Sequence, residues 1–210
     1  MITLYHSPHT RSTSVLSLLR MMGKETHVKI EPVHVRRQDG SGKIDPRNPH
    51  PEGKVPVLLV DSQIIRERAA IMLWLTDHFE SQLGRSPSSP SRGAYLSWLF
   101  YYGNVMEPVF YTTVLGVSEH PIVREWCRDS ATMFAAIETA LSHHEFLVDD
   151  QISAVDILVA SPLKWFPDMI PESQTVRDWM HRCDAAQDQT YISEREHAAL
   201  EALNLPLPAV

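Results

Sequence analysis

Residues 53–71, Gly-Lys-Val-Pro-Val-Leu-Leu-Val-Asp-Ser-Gln-Ile-Ile-Arg-Glu-Arg-Ala-Ala-Ile, hold the groups best spaced for chemistry. Pro56 stands just ahead of the apolar run Val57–Val60, where a strand tolerates its missing N–H, so the backbone of Val55 is left to bond something outside the sheet. An X-Pro bond there can be cis, which would turn the Val55 N–H and C=O outward as an edge for an extended, peptide-like ligand. Glu67 and Arg68 follow at the first turn of the next helix, where N–H groups and the helix dipole favour an anion. A ligand with its own peptide backbone and its own carboxylate suits this pair. The same residues also fit an ordinary trans edge and a charge that merely supports a helix N-terminus, and spacing alone favours that plainer reading.

The elements that must position these groups can be read from pattern. Val57–Val60 and Ile64–Ile65 form a hairpin around Asp61-Ser62, and Ala69–Phe79, with Ile71, Leu73, Trp74, Leu75 and Phe79, continues it as a helix. Upstream, Ile2–Tyr5 reads as a strand with Tyr5 in the core. His6-Ser7-Pro8-His9-Thr10-Arg11-Ser12 is a polar loop, and Val15, Leu18, Leu19 and Met22 mark a helix stopped by Gly23. His27–Ile30 is a second strand, parallel to the first by the handedness of a βαβ unit. Residues 31–52 read as loop with one short helix at most. The order β-α-β, irregular segment, β-β-α is thioredoxin-like, and it fills residues 1–80 up to a Ser/Pro-rich linker at 81–91.

Residues 92–210 show no strand alternation and read as an all-α module. One long aromatic helix is predicted over Tyr95–Tyr111, kinked near Asn104 by Pro108, and another over Ile122–Leu141 with Trp126, Met133, Phe134 and Ile137 inward. Ser153 and Asp156 form a capping box stapled by Ile152 and Ile157; Val176, Trp179, Met180 and Cys183 mark a further helix. Ser193 with Glu196 reads as a second capping box ahead of Leu200 and Leu203.

Composition narrows the function classes. With 43% hydrophobic residues in 210 the chain can bury a proper core, and 19 Lys and Arg against 26 Asp and Glu, a net charge of −7 with no basic stripe, argues against nucleic acid. No stretch has the apolar length of a membrane span and no signal peptide is read at the N-terminus, so the expectation is a cytoplasmic protein that does not enter membranes. Cys127 and Cys183 are far apart and read as small core hydrophobes, with neither a disulfide framework nor a dithiol site. The 11 histidines, His6 with His9 and His143 with His144 among them, lack a completing ligand set and read as solvated surface, with no metal.

A thioredoxin-like module joined to an all-α module, with Gly53-Lys54-Val55-Pro56-Val57-Leu58, then Glu67-Arg68-Ala69-Ala70-Ile71, then the Ser153/Asp156 box, resembles the cytosolic glutathione S-transferase family over essentially the whole chain. Leu4-Tyr5-His6-Ser7-Pro8 and Phe146-Leu147-Val148-Asp149-Asp150 look like its bacterial branch. The resemblance implies an α/β thioredoxin-like glutathione-binding domain plus an all-α domain. It further implies a homodimer, glutathione as co-substrate, and transfer to a small hydrophobic electrophile of the kind removed in detoxification.

Carried over by position, Val55 beside cis-Pro56 would pair with the cysteinyl backbone of glutathione, and Glu67 would receive its γ-glutamyl end. Lys54, with His34 or Arg37, would lie near the glycyl carboxylate. Arg68 stands where most of the family has Ser or Thr for the glutamyl carboxylate, so it either holds that carboxylate or fills its place. Conjugation needs a thiolate, since a free thiol of this type has a pKa of about 8.5. Arg11 occupies the position of the cysteine in the bacterial cysteine-bearing class. Arg11 by charge, and Ser12 or Thr10 by O–H···S bonding, are the candidates to stabilise the sulfur; the alternative is that Ser12 or Thr10 caps the helix and Arg11 faces solvent. Tyr102, Met106, Phe110 and Trp165 are candidates for the electrophile pocket between the modules, though an aromatic stripe at helical spacing also suits a core. Two other readings share the fold: a non-catalytic binding or adaptor protein, and a glutathione-dependent disulfide reductase, peroxidase or isomerase.

Overall fold

The computed structural model describes residues 1–37 and 39–206. The chain divides into two compact units, one of Met1–Leu75 together with the chain from Ala186, the other of Thr76–Ala185.

The first unit is built on β1 (Ile2–His6), β2 (Lys29–Pro32), β3 (Val57–Val60) and β4 (Gln63–Ile65), in the order β2-β1-β3-β4. β1 runs parallel to β2 and antiparallel to β3, with Leu4 opposite both Ile30 and Leu58, and β3–β4 is the hairpin expected around Asp61. This is the thioredoxin-like arrangement. β2 begins after His27 because the His27 N–H closes a turn onto the Lys24 carbonyl, which delays the strand beyond its predicted start. Among its described residues the segment between β2 and β3 holds turns and one isolated bridge, Arg36 to Gly42, and no helix.

α1 (Thr13–Met21) carries Val15, Leu16, Leu18 and Leu19, all fully buried. Gly23 ends it at φ 63°, a conformation glycine enters without a Cβ penalty. The Val55–Pro56 bond is cis. α2 (Arg68–His78) buries Ile71, Met72 and Leu75.

The second unit is all helical. Pro108 leaves the carbonyl four residues back without a donor, and the chain answers with a π-turn at Tyr102–Met106 between α3 (Arg92–Tyr101) and α4 (Glu107–Val114). The Glu107 N–H reaches back to the Tyr102 carbonyl, so the ladder shifts register where a kink was expected.

The helix expected over 122–141 is two, α5 (Pro121–Trp126) and α6 (Ser130–Leu141). The Asp129 carboxylate accepts the Thr132 N–H at 2.7 Å and starts a fresh helix there. Trp126 is 76% exposed, outside the core expected for it, and Cys127 lies half-buried in the break rather than at a core position.

α7 (Ala154–Leu163) starts at the predicted box. Asp156 accepts from the Ser153 N–H at 2.8 Å and hydroxyl at 2.9 Å, the Leu147 N–H at 2.9 Å and Trp179 Nε1–H at 3.0 Å. Burial pushes the Asp156 carboxyl up while these donors pull it back. Cys183 is buried on α8 (Gln174–Ala185), as expected.

α9 (Gln189–Ala202) is capped by Asp188, which accepts the Tyr191 N–H at 3.0 Å. The capping box expected at Ser193 does not form: Ser193 lies exposed within the helix, and Glu196 is only 6% exposed. No helix among the described residues is long and apolar enough to cross a membrane.

Candidate functional site

The polar loop between β1 and α1 folds around the Ser12 hydroxyl. Ser12 Oγ lies 2.8 Å from His6 Nδ1 and 2.7 Å from Thr10 Oγ1, accepts the Ser7 N–H at 3.3 Å and donates to the Ser7 carbonyl at 3.2 Å. Ser12 is fully buried at the N-cap position of α1, where its carbonyl accepts the Val15 and Leu16 N–H groups but its hydroxyl makes no cap bond and is not an open donor. Thr10 Oγ1 donates to the Ser7 carbonyl at 2.7 Å and accepts the Ser12 N–H at 3.3 Å. Arg11 is exposed, and its carbonyl accepts the Ser14 hydroxyl at 2.9 Å.

His6 is buried, which corrects its assignment to a solvated surface. Burial drives its pKa down to about 4, against the pull of Glu196 and with a further push from His9, so the ring is neutral at physiological pH. The rest of the loop is held from α9. Glu196 accepts the His9 N–H at 2.6 Å through Oε2 and the Thr13 hydroxyl at 2.6 Å through Oε1, with His6 Nε2 and His9 Nδ1 at 3.8 Å and 3.7 Å. His9 sits at φ 55°. Two buried atoms of this cluster, Ser7 Oγ and His6 Nε2, have no hydrogen-bond partner among the described residues.

Around the cis peptide, Val55 is half-buried and Lys54 exposed, with the Lys54 carbonyl held by Asn48 Nδ2 at 3.0 Å. The His34 N–H donates to Asp45 Oδ2 at 3.1 Å, and Arg37 Nη2 donates to the Pro8 carbonyl at 3.1 Å, tying the β2–β3 segment to the loop. Glu67 stands immediately before α2, exposed and at φ 66°. Arg68 is 6% exposed, and its Nη1 donates to Ser14 Oγ on α1 at 3.2 Å.

In the helical unit Tyr102, Met106 and Phe110 are buried, while Trp165 is 64% exposed beyond α7. Phe110 stacks on Phe166 with ring centroids 5.0 Å apart. The Tyr102 hydroxyl is bonded to Glu107. Among the described residues no three His, Cys, Asp or Glu side chains are grouped to hold a metal ion.

Sequence reasoning missed Ser7, Ser14, Phe166 and Glu196. Glu196 had a signal: with Ala199, Leu200 and Leu203 it forms one helical stripe at i, i+3, i+4 and i+7, and a carboxylate on an apolar stripe demands a partner.

The family model described as "Glutathione S-transferase, C-terminal domain" matches residues 108–186. No curated protein matches the sequence. Among solved structures, a glutathione transferase from Methylococcus capsulatus str. Bath is 21% identical with a TM-score of 0.72, the match covering 95% of this chain and 98% of that one. A sphingomonad glutathione S-transferase complexed with glutathione is 21% identical, with a TM-score of 0.60 and coverage of 97% and 100%. A glutathione transferase of Phanerochaete chrysosporium in complex with oxidized glutathione is 18% identical, with a TM-score of 0.65 and coverage of 94% and 97%. At these identities the likeness establishes the fold.

Proposed function

Taking the chain as a member of the glutathione S-transferase family, whose fold it has and whose C-terminal domain it carries, we propose that it binds glutathione, holds it as thiolate and transfers it to a small hydrophobic electrophile. The observation that supports this most is Glu67, an exposed carboxylate in a left-handed backbone conformation at the start of α2. A non-glycine residue persists there only where surroundings or function require it. In this reading Glu67 receives the γ-glutamyl end, the Val55 backbone pairs with the cysteinyl residue, and Lys54, His34 and Arg37 attract the glycyl carboxylate. Arg68 braces α2 against α1 instead of meeting the glutamyl carboxylate.

For the sulfur, the Ser12 hydroxyl is already engaged by His6, Thr10 and Ser7 and serves to shape the loop. The Thr10 hydroxyl is engaged in the same way, its proton given to the Ser7 carbonyl, so Ser7, whose buried hydroxyl is without a partner among the described residues, joins Arg11 as a donor toward a developing thiolate. Of the four candidates for the electrophile side, Trp165 is exposed on the helical unit, while Tyr102, Met106 and Phe110 lie beneath its surface and would act by packing. A cytoplasmic homodimer, with residues 1–80 as the glutathione-binding domain and 92–210 as the all-α domain, completes the reading.

Calorimetric titration with glutathione beside a conjugation assay with a generic aryl halide tests it. Saturable binding below millimolar glutathione together with turnover is expected. Absence of binding at millimolar glutathione overturns the reading, and binding with no turnover of any electrophile assigns the chain to the non-catalytic alternative.

A further inference from the structure

Glu196 reaches the β1–α1 loop from α9, across almost the whole length of the sequence, and holds that loop at both sides. One carboxylate oxygen accepts the His9 N–H and the other the Thr13 hydroxyl, each at 2.6 Å. These partners bracket residues 10–12, and His9 is the loop's one non-glycine residue at positive φ. An L-residue enters that region at a cost, so the turn needs an external restraint, and a buried carboxylate accepting its N–H is a strong one. The anchor is itself fixed. Ser17 Oγ bonds Gln187 Oε1 at 2.8 Å, Arg20 Nε bonds Asp188 at 3.0 Å, and the Arg20 guanidinium lies 5.1 Å from the Tyr191 ring centroid, so α9 is fastened to α1 on the N-terminal side of Glu196.

We propose that Glu196 is a positioning residue for glutathione activation, a latch through which the last helix sets the loop whose Ser7 hydroxyl and neighbouring groups meet the sulfur. This rests on the proposed transferase reading. Val55 and Glu67 lie outside this loop, and of the groups assigned to the tripeptide Arg37 is tied to it through the Pro8 carbonyl, so the latch acts chiefly on the state of the thiol.

Glu196→Gln tests it, because an amide offers one acceptor and turns an NH2 toward the second donor. Thr13→Val removes a single donor and serves where the first variant folds poorly. In Glu196→Gln, glutathione Kd should stay within about threefold of the parent, while kcat and the ultraviolet thiolate absorbance of the bound peptide fall by about tenfold or more. Thr13→Val should follow in the same direction by about threefold. An unchanged kcat, or Kd and kcat weakening together in step with a lower Tm, overturns the proposal. Amide hydrogen exchange reads the latch without any ligand: residues 7–13 should exchange at least about tenfold faster in Glu196→Gln than in the parent, with the β1–β3 ladder unaffected. Unchanged exchange overturns the latch itself, whereas failure of the parent protein to bind glutathione strikes only the transferase reading.

Discussion

His6 closes β1 as a fully buried imidazole, and its acidity makes a prediction at the scale of one residue. Its pKa falls from 6.5 to about 4 in the folded chain because burial penalises the charged ring. Between those values the unfolded chain binds a proton that the folded chain refuses. Stability contributed by neutral His6 is therefore complete above about pH 6.5 and is lost as pH falls to about 4, by roughly 3 kcal/mol, with no further loss below. Denaturant unfolding of the parent and of His6→Gln across that range should give a pH slope that the variant lacks. Parallel curves would refute it. The sequence singled out this loop but could not tell which of its side chains are turned inward. The orientation of a hydroxyl or imidazole there is decided by contacts from β1, α1 and α9 together, and those appear only once the chain has folded.

Features whose signal is local were the most legible, although the capping box expected at Ser193 did not form. The Ser153/Asp156 box, the Gly23 stop and the β3–β4 hairpin each lie within a few residues of their own signal. Asp129 carried an equally local signal that the apolar run around it hid, and Pro108 produced a shift of hydrogen-bond register that a pattern of apolar positions does not encode. The contact between α2 and α1 is of the illegible kind. Arg68, read from sequence as a carboxylate ligand or an obstruction, reaches Ser14 from a buried position, a contact no local pattern announced. Arg68→Ser should accordingly lower Tm through loss of a hydrogen bond from a buried charge, worth about 1.5–3 kcal/mol, while changing glutathione Kd by less than about threefold. Calorimetry and thermal melts on one preparation separate the outcomes, since a tenfold weakening at full stability would make the guanidinium a ligand for the glutamyl carboxylate.

For the whole molecule, residues 186–206 belong to the unit that holds β1 and α1. α9 returns after the helical unit to join β1 and α1, and nothing in the composition of residues 186–206 announces it, because the partners that justify a buried Glu196 lie at the opposite end of the sequence. Unfolding measures the molecule as a whole, and there Glu67 sets two demands against each other. An L-residue in the left-handed region costs about 1 kcal/mol that glycine would not incur. Glu67→Gly should then equal or exceed Glu67→Ala in unfolding free energy by about 1 kcal/mol, while both fail to bind glutathione. If Glu67→Ala proves the more stable, the backbone there is not under tension. With Glu67→Gly the more stable, the position is one where selection for a sturdier fold removes the group that meets the ligand, so that thermal robustness and recognition cannot be improved by the same substitution.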